Sequence, residues 1–270
     1  MKLVPNFAKF AGAAVVAALA AGPALGTPLF TVDESVVPNA LDATVTADKL
    51  NGSYNELLTI NADGSFATSA YGAFTSYVVG GSDIDSQLGA YSALGDGTDF
   101  RYRLYFAFES TGSFLPPNGF TGATGSFQLW LDPLRDTAGS FAGATGADGV
   151  TSANVGDDIL LASAANVLYG TGVVADPGAY EIVWDDFTLN TGAGSVPYFI
   201  SPDPFYMQVL VDGDFDAFSP SLGTYVPGTQ QTFTVRGDVS AVFLPEPGTL
   251  ALTGLALGAL GFVTSRRRTA

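Results

Sequence analysis

Between residues 27 and 244 the chain is written in a period of two. Short blocks of apolar and aromatic residues alternate with polar ones and are separated by Gly, Asn, Asp and Pro, most clearly in Arg101-Tyr102-Arg103-Leu104-Tyr105-Phe106-Ala107-Phe108. In an extended segment such alternation puts every second side chain on one face, so that one face is buried and the other wetted. No stretch of about a dozen body residues sustains the 3.6 period of an amphipathic helix. Candidate strands are Leu29 to Val32, Ala43 to Ala47, Asn55 to Asn61, Gly64 to Val79, Phe100 to Glu109, Gly125 to Leu131, Asp158 to Tyr169, Tyr180 to Leu189, Phe205 to Val211 and Gln230 to Phe243. Asn61-Ala62-Asp63-Gly64 supplies an Asp-Gly turn between two of them. The expected class is all-β, an antiparallel β-sandwich or jelly roll with almost no helix. Small and polar residues make Asp136 to Gly156 a long surface loop, with segments 110 to 124 and 219 to 229 as similar connectors. No segment repeats at a fixed period, which argues against a solenoid or propeller.

Two residue types are missing. The chain has no Cys, so the body cannot use disulfides, and a lipidated N-terminal Cys is excluded. It has no His, which removes Ser-His-Asp and Cys-His nucleophiles, His-ligated zinc and facial-triad iron together. No G-x-S-x-G, P-loop or dinucleotide fingerprint is present. Of 10 basic and 26 acidic residues, the body keeps only Lys49, Arg101, Arg103, Arg135 and Arg236 as bases and loses only Glu246 among the acids. Its net charge is therefore near −20, a surface that repels nucleic acid and attracts divalent cations or basic partners.

The ends differ in composition from the body. Residues 1–26 carry Lys2 and Lys9, an apolar run from Phe10 to Ala21, and small residues approaching Gly26, the layout of a secretory signal peptide. Cleavage is expected after Gly26, with Gly22 as a second position. The run falls short of the ~20 residues needed to cross a bilayer. Residues 245–270 read Pro245-Glu246-Pro247-Gly248, an apolar run from Thr249 to Ser265, then Arg266-Arg267-Arg268. That run is at the lower limit for a transmembrane helix, and the arginines would hold the extreme C-terminus in the cytoplasm. The expected organisation is a signal peptide (1–26), one β body (27–244) and a sorting signal (245–270).

Pro-Glu-Pro, a Gly-punctuated apolar run and a terminal Arg cluster together resemble the PEP-CTERM sorting signal of Gram-negative bacteria. The resemblance implies processing by an exosortase near Pro245, Glu246 and Pro247. The family usually places Val before the tripeptide; Leu244 stands there in this chain. Blocks in the body, Phe30 to Pro38, Ala47 to Glu56, Gly156 to Ala162, Val211 to Asp216 and Gly237 to Phe243, resemble the flocculation-associated PEP-CTERM proteins. That likeness implies a non-enzymatic role at the cell surface or in the extracellular matrix, holding cells within exopolysaccharide.

Several groups of residues are candidates for chemistry. Asp212, Asp214 and Asp216 alternate, so an extended backbone points their carboxylates to one side, an arrangement suited to Ca²⁺. An EF-hand loop does not fit, because Ala217 stands where Gly is needed and Gly223 where Glu is needed. The competing reading is a solvated turn with Phe215 packed inward. Asp157-Asp158, Asp185-Asp186 and the Asp83, Asp85 pair are weaker versions of the same case. Glu109 and Glu181 are the carboxyl pair to weigh for glycoside hydrolysis, although nothing in their surroundings singles them out. Trp130, Trp184, Tyr198 and Tyr206 are the aromatics placed to stack on sugar rings. The alternative to a matrix role is a secreted carbohydrate-binding or carbohydrate-active domain.

Overall fold

The computed structural model describes residues 28–38, 40–41, 43–89, 101–115, 118–175 and 177–245. The proposed signal peptide lies outside the described residues, as do Glu246, Pro247, Arg266, Arg267 and Arg268. Pro245 is described and follows the last strand, half-buried.

Eight antiparallel strands form the body: β1 (Lys49–Ile60), β2 (Ser65–Val79), β3 (Arg103–Leu115), β4 (Gly119–Asp132), β5 (Asn166–Val173), β6 (Gly178–Asp185), β7 (Gln208–Phe215) and β8 (Gln231–Leu244). Each pairs with the next in chain order, and β8 returns to β1 in a register running from Gln231↔Ile60 to Ala241↔Leu50. The sheet therefore closes into an up-and-down barrel. The seam between β4 and β5 is short, Gly119↔Val173 to Gly122↔Gly170. The rest of β4 pairs with Ile159–Ala164, which leads into β5.

The all-β antiparallel expectation holds, while the sandwich or jelly roll is replaced by the closed barrel. Two-residue alternation states that one face is buried, but not whether it meets a second sheet or its own far side. Closure needs twist and local bending, and register shifts at Asn51/Gly52, Thr111/Gly112, Leu160/Ala162 and Val167/Tyr169 mark bulges where strands bend. The expected Asp-Gly turn joins β1 to β2: Gly64 adopts φ +85°, and Asp63 accepts from the backbone N–H and hydroxyl of Ser65. The 110–124 segment is not a connector. Residues 110–115 belong to β3 and 119–124 to β4, and Gly112 serves packing inside the barrel.

Inward positions alternate aromatic and small residues. A Cβ on Gly72 would lie 2.6 Å from the ring of Phe106, one on Gly112 2.6 Å from Phe66, and one on Gly213 2.7 Å from Tyr180. Aromatic rings thus lie across glycines of the adjoining strand, filling the lumen with large against small. Tyr54, Leu58, Phe106, Phe108, Phe127, Trp184, Val211, Phe233 and Val235 are among the buried residues that make up this core.

One end is closed by a three-stranded sheet of Phe30–Asp33, Thr44–Ala47 and Phe199–Ser201. Phe30 meets Phe243 edge-to-face at 4.9 Å. Beneath it, the hydroxyls of Tyr77, Tyr102 and Tyr198 bond one another, and that of Tyr102 donates to buried Glu34 at 2.7 Å. Glu34 also accepts from the backbone and side chain of Gln87. The three phenols and the carboxyl thereby find partners, as burial demands. The opposite end, at Ile60, Phe66, Phe114 and Phe120, is overlain by residues 220–229.

The expected surface loop from Asp136 to Gly156 contains a hairpin, Ala138–Phe141 with Val150–Ala153. It lies against the outside of the barrel. Gly146 accepts from the Ser69 hydroxyl at 2.6 Å and donates its N–H to Thr59 Oγ1 at 2.9 Å. This contact is why Thr59 and Ser69 are buried although they point outward.

Candidate functional site

The hairpin and the outer faces of β1, β2 and β3 enclose a groove of about 380 Å³. Outward register brings Ser53 and Asn55 of β1, Tyr71 of β2 and Arg103 and Tyr105 of β3 to its walls, with Thr137, Ala138, Gly139 and Ser152 on the hairpin side. Tyr71 packs against Phe141 at 5.2 Å. Tyr105 stacks on Trp130 of β4 at 6.2 Å, the rings 7° from parallel.

A fixed turn anchors the groove. The Asp132 carboxylate is fully buried. It pairs with Arg103 at 2.8 Å and accepts backbone N–H groups of Arg135, Asp136 and Thr137. The Tyr105 hydroxyl donates to Asp158 at 2.6 Å, as does that of Thr137 at 2.8 Å. Burial first, then the Asp158 carboxylate, pushes the Tyr105 phenol well above its ordinary range, so it stays a donor. Desolvation raises the Asp158 carboxyl, while the two hydroxyls oppose that rise. The groove thus brings hydroxyls, an amide and aromatic rings together, a mixture suited to a polyhydroxylated ring, while the Arg103 charge is taken up by Asp132.

The acidic candidates separate. Asp212 and Asp214 lie at outward positions of β7, Asp212 beside Glu181 of β6 and Ser240 of β8. The compact group is Asp214, Asp216 and Asp238, whose ligand atoms lie within 4.8 Å of one another. Asp214 also accepts the backbone N–H of Asp238 at 2.8 Å, and Phe215 is packed inward. A second triple joins Asp132, Asp157 and Asp158. Their carboxylates already accept from Arg103, Leu134 N–H, Tyr105 and Thr137. Asp185 accepts from Gln208 and Asp186 from Asn166. Asp83 lies on the short strand Ser82–Ile84, with Asp85 directly after it.

Glu109 on β3 and Glu181 on β6 both point outward with β4 and β5 between them, so they line no common cleft. Glu181 accepts from Tyr169 at 2.5 Å. Of the aromatic candidates, Trp130 is half-exposed on the outer wall. Trp184 is buried in the lumen and Tyr198 in the closed end, so neither meets solvent. Tyr206 is half-buried and donates to the Leu29 carbonyl. Trp184 follows the same inward alternation as Tyr180 and Ile182, a signal present in the sequence that aromatic type alone does not convey.

Sequence reading misses the lumen's polar residues. Glu56 takes an inward position between Tyr54 and Leu58, 5 % exposed, where Thr68 donates to it. Desolvation pushes its carboxyl up to about 7, against the opposing hydrogen bond of Thr68. Tyr54 donates to the Asp214 carbonyl at 2.8 Å, whereas the buried Tyr180 hydroxyl has no hydrogen-bond partner. The signal is a Glu in phase with the apolar residues of an alternating strand.

No family model, curated protein or solved structure matches the chain.

Proposed function

We propose that the chain is an exported, exosortase-processed surface or matrix protein of a Gram-negative bacterium that retains cells in exopolysaccharide without catalysing a reaction. Residues 1–26 serve as signal peptide, and residues 245–270 as a PEP-CTERM signal whose helix crosses the membrane before processing. The observation that carries the reading is the outer-wall groove, where Tyr71, Tyr105, Arg103 and Asn55 offer aromatic faces and hydrogen-bonding groups side by side. Weak glycan contact at one groove becomes strong retention when many copies share a polymer. The clustered carboxylates of half-buried Asp214 and exposed Asp216 and Asp238 support sharing of Ca²⁺ with an acidic polymer.

The test is a strain lacking the gene, complemented with the full chain or with residues 1–244, scored for flocculation and for protein location by cell fractionation. Restoration by the full chain alone supports tail-dependent sorting of a matrix component; equal restoration by both overturns it. The same groove also favours a second reading, a secreted carbohydrate-binding domain that needs no anchoring. Full chain carrying Tyr105→Ala separates the two roles of the molecule: it should reach the surface normally and still fail to restore flocs.

A further inference from the structure

The described chain enters and leaves the barrel at one edge of its capped end. It enters at Pro28, just ahead of the cap strand Phe30–Asp33, and β8 ends at Leu244, which pairs with Gln208. Continued by one residue, that antiparallel register brings Pro245 level with Met207. The Tyr206 hydroxyl donates to the Leu29 carbonyl at 2.9 Å, which joins the entry to the exit. Leu29, Ile200 and Met207 remain 51, 43 and 40 % exposed along this edge, Ile200 as the unpaired residue of the bulge between Thr31 and Val32. Behind them Phe30, Phe199, Phe205 and Phe243 pack with ring centroids 4.7 to 5.4 Å apart, a firm backing. The outer positions of the adjoining cap sheet, Thr31, Thr44, Thr46 and Ser201, carry hydroxyls and no charge, and Asp33 is taken up by the backbone N–H and hydroxyl of Ser35.

The length of chain beyond Leu244 says what lies against this edge. Only Pro245 to Gly248 separate β8 from the uncharged run Thr249 to Ser265. At ~3.3–3.6 Å per residue, the link from Leu244 to Thr249 spans at most about 18 Å. The headgroup layer of a bilayer takes up about 6 Å of that reach. With the run crossing the hydrocarbon, the edge can stand no more than about 12 Å outside the headgroups. An exposed apolar patch held so close is relieved of water by settling into the interface.

We propose that this edge is a membrane-docking surface of the chain while it keeps its tail, with Leu29, Ile200, Tyr206 and Met207 entering the interface of a zwitterionic phospholipid bilayer. The inference rests on the reading of residues 245–270 as a membrane-crossing tail. Tyr206 suits the interface, where an aromatic ring with a polar tip is at home. The kind of lipid follows from charge. Exposed Asp203 lies in the same stretch as Ile200 and Met207, and the body carries a net charge near −20, so anionic headgroups are repelled.

Because the chain has no Cys, a single spin label can be attached at a chosen position. Full chain with its tail is reconstituted in phosphatidylcholine vesicles, labelled at Met207→Cys, at Ala62→Cys in the β1–β2 turn of the opposite end, or at Ala256→Cys within the apolar run. Collision of the label with oxygen, which concentrates in lipid, is compared with collision with a water-soluble nickel chelate. The oxygen-to-nickel ratio at 207 should lie several-fold above that at 62. It should fall to the value at 62 in the double variant Leu29→Asp, Ile200→Asp, whose exposed positions leave the core untouched, and it should fall when phosphatidylglycerol is added. Equal ratios at 207 and 62 overturn the proposal. The label at 256 then separates the two readings: lipid contact there leaves the tail assignment standing, and water contact sinks both. Dipolar broadening between 207 labels of neighbouring copies would show that a second copy covers the edge, which also overturns the proposal. A ratio indifferent to phosphatidylglycerol overturns the lipid assignment.

Discussion

Glu56 shows what one residue can do when its register is inward. Its carboxyl is raised to about 7 because burial strips water from the charged form, and the hydrogen bond of Thr68 offsets only part of that cost. The folded state therefore holds a proton that the unfolded chain has released between about pH 4.5 and 7. Stability falls as pH rises through that window, because there the unfolded chain binds fewer protons. Glu56→Gln keeps the shape and removes the ionisation. Chemical denaturation should find the variant more stable than the parent at pH 8, by up to about 3 kcal/mol from the size of the shift, with the difference shrinking towards pH 5. A constant difference across that range would show that the carboxyl titrates alike in the folded and the unfolded chain, without the upward shift.

At the scale of the element, the Gly, Ser, Ala and Asp content of the 136–156 segment predicts a loop. The segment is instead a hairpin laid along the barrel, secured at its root and its tip by specific bonds. The root is Asp132, whose carboxylate holds Arg103 and three backbone N–H groups of the following turn. Removing one partner of a buried pair leaves the other uncompensated, at a cost of about 3–5 kcal/mol. Because Arg103 is 28 % exposed, its charge recovers some hydration, and the lower end of that range is expected for Asp132→Ala in urea unfolding. Limited proteolysis should then cut within 136–156 first. Unchanged protease resistance of the hairpin would show that the Gly146 contacts with Thr59 and Ser69 suffice to hold it.

Among the described residues, the barrel buries a mostly apolar lumen inside a wall with acids such as Glu109 and Asp212 on its outer face, the reverse of a membrane-spanning barrel's polarity. Its body charge near −20 stores repulsion between like charges. Raising salt from about 0.01 M to about 0.15 M shortens the screening length from ~30 Å to ~8 Å. The melting temperature should rise over that interval, and Ca²⁺ should raise it further at equal ionic strength if carboxylates such as Asp214, Asp216 and Asp238 share the ion. A fall in melting temperature with NaCl would show that favourable charge pairs, not repulsion, dominate.

Strand existence and facing are legible in the amino-acid order itself, because alternation in Arg101 to Phe108 or Gln231 to Leu244 directly encodes which side chains share a face. The Asp63-Gly64 turn is equally plain, since Gly64 supplies the positive φ. The 110–124 segment is not, because glycine marks turns and lumen floors alike, and only the rings of Phe66 and Phe120 lying across Gly112 and Gly172 reveal the second use. Composition alone removes His- and Cys-dependent chemistry and sets the acidic surface. Tertiary structure alone decides that the sheet closes, that Asp238 rather than Asp212 joins Asp214 and Asp216, and that Tyr71, Arg103 and Tyr105 line one groove. Those facts depend on which distant strands become neighbours, and the pairing of β8 with β1 joins segments whose separation along the chain no local period can express.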